Sequence, residues 1–258
     1  MVQTDKNEQL EIDLERGAEL LRRADHVAVL TGAGISKESG IPTFREAQTG
    51  LWANYEPEKL ATVEGFIKDP PLVWTWYDWR RKMVSSVKPN PGHLALVELE
   101  NIVPHFTLIT QNVDGLHRQA GSKNMIELHG NIARHKCLKS GHTALNVPTD
   151  LQEPPKCECG SPIRPDVVWF GEALDPKNLA DSFNASESAD VFIVIGTSGL
   201  VQPAASFPFA AKRSGAKLIE CNPERTPLSH EVDLFLEGAS GELLPRLVAK
   251  LQKLIANS

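Results

Sequence analysis

The chain has 258 residues, 41% of them hydrophobic, with a formal net charge of −6 and four cysteines. That length suits one large domain or a large and a small one, and the apolar fraction is ordinary for a globular protein. The negative balance argues against nucleic-acid binding, which needs a basic face, and no apolar run reaches the ~20 residues that span a bilayer as a helix.

The first residues, MVQTDKNEQLEIDLERG, are acidic and lack the apolar core of a signal peptide. A cytoplasmic chain is expected, with its cysteines acting as metal ligands or buried thiols rather than disulfides. Leu10, Leu14, Ala18 and Leu21 recur at helical spacing and predict a helix over 8–24. His26 to Leu30 reads as a buried parallel strand that runs into Thr31-Gly32-Ala33-Gly34. Glycines after such a strand let the backbone turn and approach a ligand closely. A helix starting at Ile35 or Ser36 would point its N–H groups at an anion, typically a dinucleotide pyrophosphate. Two features depart from hydride-transfer enzymes. Lys37 stands where G-x-G-x-x-G needs its third glycine, and the next apolar run ends in Thr110-Gln111-Asn112 rather than in a ribose-holding carboxylate.

Asp69-Pro70-Pro71 opens a helix to about Val87, and Asn90-Pro91 another to about Glu100. Strands are predicted at Phe106–Thr110 and Met125–Leu128, then a helix from Asp175-Pro176 and an apolar strand at Val191–Ile195. A helix over Ala204–Ser214, a strand over Lys217–Cys221 and a closing helix over Leu243–Ile255 complete the series. Strands alternating with helices imply a doubly wound parallel sheet. Its strand ends carry Thr31 to Gly34, Thr110 to Asn112, Gly196-Thr197-Ser198 and Asn222, a polar rim where open parallel sheets bind ligands. Such residues also make good turns, and any one loop reads equally well that way.

Two segments break the rhythm. Residues 44–88 are helical with no intervening strand, and 133–168 hold three cysteines with several prolines and glycines. They read as two insertions forming a smaller domain beside the sheet.

GAGISKESGIPTFR at 32–45, TQNVDGLH at 110–117, ELHGN at 127–131, RPDVVWFGE at 164–172, GTS at 196–198 and NPE at 222–224 resemble the sirtuins, NAD-dependent protein deacylases. The resemblance covers nearly the whole chain. It implies a Rossmann-like α/β domain over 1–43, 89–132 and 171–258, and a small domain, part helical and part zinc module, over 44–88 and 133–170. NAD and an acyl-lysine protein would meet in the cleft between them. In the family the acyl oxygen attacks the nicotinamide ribose, nicotinamide leaves, and a histidine base helps a ribose hydroxyl attack the resulting imidate. His129 matches that base, and a neutral imidazole suits the role; alone, it would read as a hydrogen-bonded structural histidine.

The resemblance assigns NAD contacts to Gly32, Ala33, Gly34, Ile35, Thr43, Phe44, Arg45, Gln111, Asn112, Val113 and Asp114. On the adenosine side it assigns Gly196, Thr197, Ser198, Asn222, Pro223, Glu224 and Ala239. Arg45 could meet a phosphate and Phe44 could shield the reactive carbon, though Phe44 could equally be a core contact and Asp114 a helix cap. Substrate contacts fall on Val168, Phe170 and Gly171. Tyr77 and Arg80, three apart on one helix face, together with Ala61 resemble the subgroup that accepts succinyl and malonyl groups. The alternative makes Arg80 an exposed partner of Asp78 and Tyr77 a helix anchor.

The metal module departs from the family's two C-x-x-C pairs. Cys137 is followed by Ser140, and the second pair is Cys157-Glu158-Cys159. Three thiolates remain as zinc ligands, with His142, Ser140 or water as the fourth, or a module that folds without metal. Cys221 reads as buried. The leading expectation is a deacylase that releases nicotinamide and O-acyl-ADP-ribose, with mono-ADP-ribosyl transfer or a non-catalytic NAD-sensing module as alternatives. A monomer is the favoured state.

Overall fold

The computed structural model describes residues 2–42, 60–148 and 150–257, with side chains from residue 7 onward. Helix α1 (Val2–Arg22) leads into β1 (His26–Thr31) and a single turn, α2 (Gly34–Lys37). Next come α3 (Val63–Lys68), α4 (Pro70–Ser85), α5 (Pro91–Ile102), β2 (His105–Thr110), α6 (Leu116–Ala120) and β3 (Met125–Glu127). An antiparallel unit, β4 (Gly130–Cys137), β5 (Thr143–Ala144) and β6 (Ile163–Val167), precedes α7 (Pro176–Glu187) and β7 (Val191–Ile195). The chain ends through α8 (Phe207–Arg213), β8 (Lys217–Asn222), β9 (Leu234–Glu237) and α9 (Ser240–Ala256).

The anticipated helix starts are capped as the sequence suggests. Asp69, Asn90 and Asp175 each accept backbone N–H groups from the first turn of α4, α5 and α7, with proline at the start of each helix. Two expectations change in form. The helix after β1 is one turn long and starts at Gly34, and the segment from Ala204 opens with a 3₁₀ turn before α8.

Six parallel strands form one sheet in the order β3-β2-β1-β7-β8-β9. The apolar runs are unbroken because both faces are covered. Along β1, Val27 and Val29 face a core with Leu14, Ala18, Leu21, Leu96, Leu247 and Leu251 from α1, α5 and α9. Ala28 and Leu30 face the opposite core with Phe192, Phe207 and Leu218. Strand β9, which adds the outer edge beside β8, has no counterpart among the predicted strands. Among the described residues no helix is long and apolar enough to cross a membrane.

A third core joins α3 and α4 to the antiparallel unit through Leu60, Phe66, Val73, Trp76, Tyr77, Ile132, Val167 and Trp169. The two segments outside the α/β rhythm thus pack on each other, giving the smaller layer beside the main sheet.

Two buried histidines make stability sensitive to acid. His93 and His117 lie with ring centroids 4.7 Å apart. His93 Nδ1 accepts the Asn90 N–H and closes that cap; His117 Nε2 sits 3.0 Å from Thr31 Oγ1. Burial pulls His93 down to about 4 and His117 well below the usual imidazole range, where the neighbouring ring adds to the effect. Unfolded histidine protonates near pH ~6.5. Below that pH the unfolded chain binds more protons, so this stability is complete above ~6.5 and is lost as pH falls toward 4. Urea unfolding across this range should show stability falling by up to ~1.4 kcal/mol per pH unit for each histidine. A His93→Gln/His117→Gln variant should be less stable at pH 7 but flatter with pH. An unchanged slope in that variant would remove the two rings as the cause.

Candidate active site

The chain builds β1, β2 and β3 outward on one side, then returns to place β7 beside β1 and builds β8 and β9 on the other. Loops leaving β1 and β7 therefore diverge, and ligands of open parallel sheets bind at such a switch point. Here the two loops touch backbone to backbone. Gly32 N–H donates to Ile195 O at 2.9 Å and Gly34 N–H to Gly196 O at 2.8 Å. A Cβ on Gly34 would lie 2.6 Å from Gly196 Cα, so only glycine permits this approach.

Strand β2 delivers Gln111, Asn112 and Asp114 to the same edge. Gln111 Nε2 donates to Thr197 Oγ1 at 3.1 Å, tying the β2 loop to the β7 loop. Buried Asn112 donates through Nδ2 to Gly32 O at 3.0 Å and to Ser36 Oγ at 3.2 Å. Ser36 in turn donates to Asp114 Oδ2 at 2.7 Å, while Asp114 Oδ1 accepts from Leu116 N–H and caps α6. Asp114 is both a cap and a member of the cluster. Burial pushes its carboxyl upward, against the pull of these hydrogen bonds and of Arg80.

His129 follows β3. Its Nδ1 lies 3.0 Å from Gln111 O. A carbonyl can only accept, so Nδ1 carries the proton and Nε2 keeps its lone pair. Burial holds the imidazole below its ordinary range, so the ring is neutral at pH 7. Gly130 comes next at φ +82°, against the Asp166 carbonyl of β6.

The residues expected on the substrate side converge from distant segments. Phe170 N–H donates to Ala61 O at 2.9 Å, so 168–171 runs beside 61–62. Val168 N–H donates to His129 O at 2.9 Å, linking that segment to the histidine. Gly171 turns at φ +83° and Phe170 is 56% exposed. Tyr77 Oη accepts from Trp169 Nε1 at 2.7 Å, and burial raises the phenol to about 12. It stays protonated with its own O–H left to donate. Arg80, one turn on, is 7% exposed with its guanidinium 5.2 Å from the Trp76 ring centroid. The exposed Arg80–Asp78 pairing is not formed; Arg81 and Lys82 take Asp78.

On the other side of the crevice, Asn222 Nδ2 donates to Thr197 O at 3.2 Å and to Glu220 Oε1 at 2.9 Å. Ser198, Pro223 and Glu224 stand exposed at the rim, Ile35 packs into the main core and Val113 against the third core, and Ala239 is the N-cap of α9. Ala33 precedes α2. Thr43, Phe44 and Arg45 lie outside the described residues.

Residues 32–203 match the Sir2 family. An NAD-dependent protein deacylase of Aquifex aeolicus is 54% identical over 83% of this chain and 91% of its own length. One from Pyrococcus furiosus is 49% identical over 92% and 97%. The crystal structure of a Sir2 homologue–NAD complex superposes with a TM-score of 0.88 at 44% identity, covering 93% of this chain and 94% of that one. The chain belongs to the Sir2 family.

Four residues outside the set anticipated from sequence hold this sirtuin site in shape. Ser36 bridges Asn112 and Asp114. Glu220, fully buried, accepts from Asn222, Thr226 and Ser229 and so fixes the 222–229 loop. Arg164 and Glu172 are paired, and Glu172 also accepts the Trp169 N–H at 2.8 Å while Arg164 reaches Val167 O at 2.8 Å. Serine and the charges at the ends of RPDVVWFGE were visible in the motifs, but nothing in their spacing tells which partner each one meets.

The sulfurs of Cys137, Cys157 and Cys159 all lie within 4.8 Å of one another. A soft, compact thiol triad fits zinc. Cys221 is buried in the main core, and burial pushes its thiol up to about 12.

Gly130 offers a direct test of site geometry. An added Cβ would meet Asp166 O at 2.2 Å, whereas Gly141, at φ +70°, has nothing within 4 Å of the same position. Gly141→Ala should cost only the left-handed backbone penalty of ~1–2 kcal/mol. Gly130→Ala should add ~1–3 kcal/mol of overpacking and displace His129. Urea midpoints for both variants, with turnover, check this; equal losses would mean the Asp166 contact relaxes without cost.

Proposed function

We propose that this sirtuin is an NAD-dependent protein-lysine deacylase, releasing nicotinamide and O-acyl-ADP-ribose, with an acyl pocket suited to succinyl and malonyl groups as well as acetyl. The observation that carries the reading is the fixed tautomer of His129: Nδ1–H spent on Gln111 O, Nε2 available as a base. In this reading His129 Nε2 takes a proton from a ribose hydroxyl of NAD. Gln111, Asn112 and Asp114 offer amide and carboxylate partners to the nicotinamide ribose. Gly32, Ala33, Gly34 and Ile35 bring the backbone against the phosphates, with Thr43, Phe44 and Arg45 covering them. Gly196, Thr197, Ser198, Asn222, Pro223, Glu224 and Ala239 receive the adenosine.

The nucleotide-binding domain would comprise 1–43, 89–132 and 171–258, and the small domain 44–88 and 133–170, with acyl-lysine entering between them along Val168, Phe170 and Gly171. Zinc held by Cys137, Cys157 and Cys159 would stiffen the small domain. The net charge of −6 disfavours nucleic acid as a partner, and a cytoplasmic monomer is the simplest setting.

The acidic-acyl preference rests on Arg80 and Tyr77. A carboxylate at the end of the acyl chain would meet the Arg80 guanidinium and the Tyr77 O–H, and Ala61 leaves room for it. Little screening water reaches a buried guanidinium, so a charge-assisted hydrogen bond here is strong.

His129→Ala should cut deacylation ~10²–10⁴-fold and leave NAD binding largely intact, measured by nicotinamide release and by calorimetry. Because burial lowers the His129 pKa, the acid limb of kcat/KM should lie below pH ~6.5. Near parental turnover in the variant would sink the assignment. Arg80→Met should reduce desuccinylation ~10–100-fold, the equivalent of ~1.5–3 kcal/mol, and spare deacetylation. Matched losses on acetyl- and succinyl-lysine peptides would make Arg80 structural.

A further inference from the structure

The cysteine cluster lies at the meeting of two turns. In the first, Cys137 N–H donates to His142 O at 3.0 Å and Gly141 N–H to Cys137 O at 3.0 Å, which folds 137–142 back on itself. In the second, Cys157 N–H donates to Ser161 O and Gly160 N–H to Cys157 O, both at 2.8 Å. The first turn supplies one sulfur and the second supplies two. Tetrahedral zinc with Zn–S bonds of ~2.3 Å and Zn–N bonds of ~2.0–2.1 Å has S···S edges near ~3.8 Å and S···N edges near ~3.5 Å. Cys137 Sγ and Cys159 Sγ are 3.6 Å apart. His142 Nε2 and Cys157 Sγ are 3.3 Å apart. Both pairs have the separation of adjacent corners of one tetrahedron.

Ser140, two residues before His142, prepares the ring. Ser140 Oγ and His142 Nδ1 are 2.5 Å apart. When Ser140 accepts from His142 Nδ1–H, the ring keeps its lone pair on Nε2, the atom facing Cys157. Metal-bound histidines typically have their second nitrogen fixed in this way.

We propose that His142 is the fourth ligand of a Cys3His zinc site, completed by Cys137, Cys157 and Cys159, and that Ser140 is its positioning residue rather than a ligand. When zinc binds, the thiols lose their protons to solvent and four bonds form to the ion without any redox step. His142 Nε2 touches Cys157 Sγ but is not within 4.8 Å of all three sulfurs, so ligation requires the ring to turn in toward Cys137 and Cys159. The inference rests on this cluster alone and is independent of the reading of the active site.

Elemental analysis of the full chain after dialysis should give one zinc per chain. His142→Ala should weaken zinc binding, measured by competition with a chromogenic chelator, by more than the ~10–100-fold usual for an outer hydrogen-bond partner. Ser140→Ala should fall within that range. Ser140→Cys/His142→Ala restores a four-sulfur set and should recover retention even if His142→Ala folds poorly. In the cobalt-substituted parent, sulfur-to-metal charge transfer should match three thiolates, and it should rise toward four in that double variant. Parental zinc affinity in His142→Ala, or a parent without zinc, would overturn the proposal. A Ser140→Ala loss larger than that of His142→Ala would make Ser140 the ligand and overturn it as well.

Discussion

The close passage of the β1 loop over the β7 loop is the constraint on which the rest of the site depends. Gly34 and Gly196 approach so tightly that no side chain fits between them. That contact sets the height at which the other groups meet. Asn112 is fixed by Gly32 O, Gln111 by Thr197, and Asp114 through Ser36. Because His129 is oriented by the Gln111 carbonyl, its direction also traces back to where β2 ends beside β1. A backbone junction of this kind needs no large side chains, which leaves space for a nucleotide.

Around that junction, polar groups are buried in quantity but are held by partners. An unsatisfied buried group would cost ~1–3 kcal/mol, so the network is stable only when it is nearly complete. Glu220 accepts from three donors, an arrangement that orders the loop around Asn222. The same low-polarity surroundings keep His129 neutral and Tyr77 protonated. Burial therefore decides the protonation state of the site before any substrate arrives.

One segment couples the smaller layer to both α4 and His129. Arg164 and Glu172 close the loop that carries Val168 to Gly171, and the Arg164 guanidinium sits 3.3 Å from the Trp169 ring centroid. Trp169 then bonds Tyr77 on α4, while Val168 bonds His129 beyond the sheet. This loop touches both His129 and α4, the helix that carries Tyr77 and Arg80.

The sequence by itself was enough for the parallel sheet, because runs such as Val191–Ile195 are apolar on both faces and leave no other placement. It also located the helix starts at Asp69, Asn90 and Asp175, since a cap is a local hydrogen bond. Strand-end composition marked Gly32, Asn112 and Thr197 as rim residues, and the resemblance to the sirtuins added His129. Tertiary structure decided what depends on partners far along the chain. Strand β9 exists because β8 offers an edge, not because four residues have a strong preference. Arg80 and Arg81 look alike in sequence, yet packing against Trp76 buries the first while Asp78 pairs with the second. The place of His142 beside three sulfurs follows from two turns meeting 15 residues apart. No local pattern encodes such encounters, because they are set by which surfaces the folded cores leave facing each other.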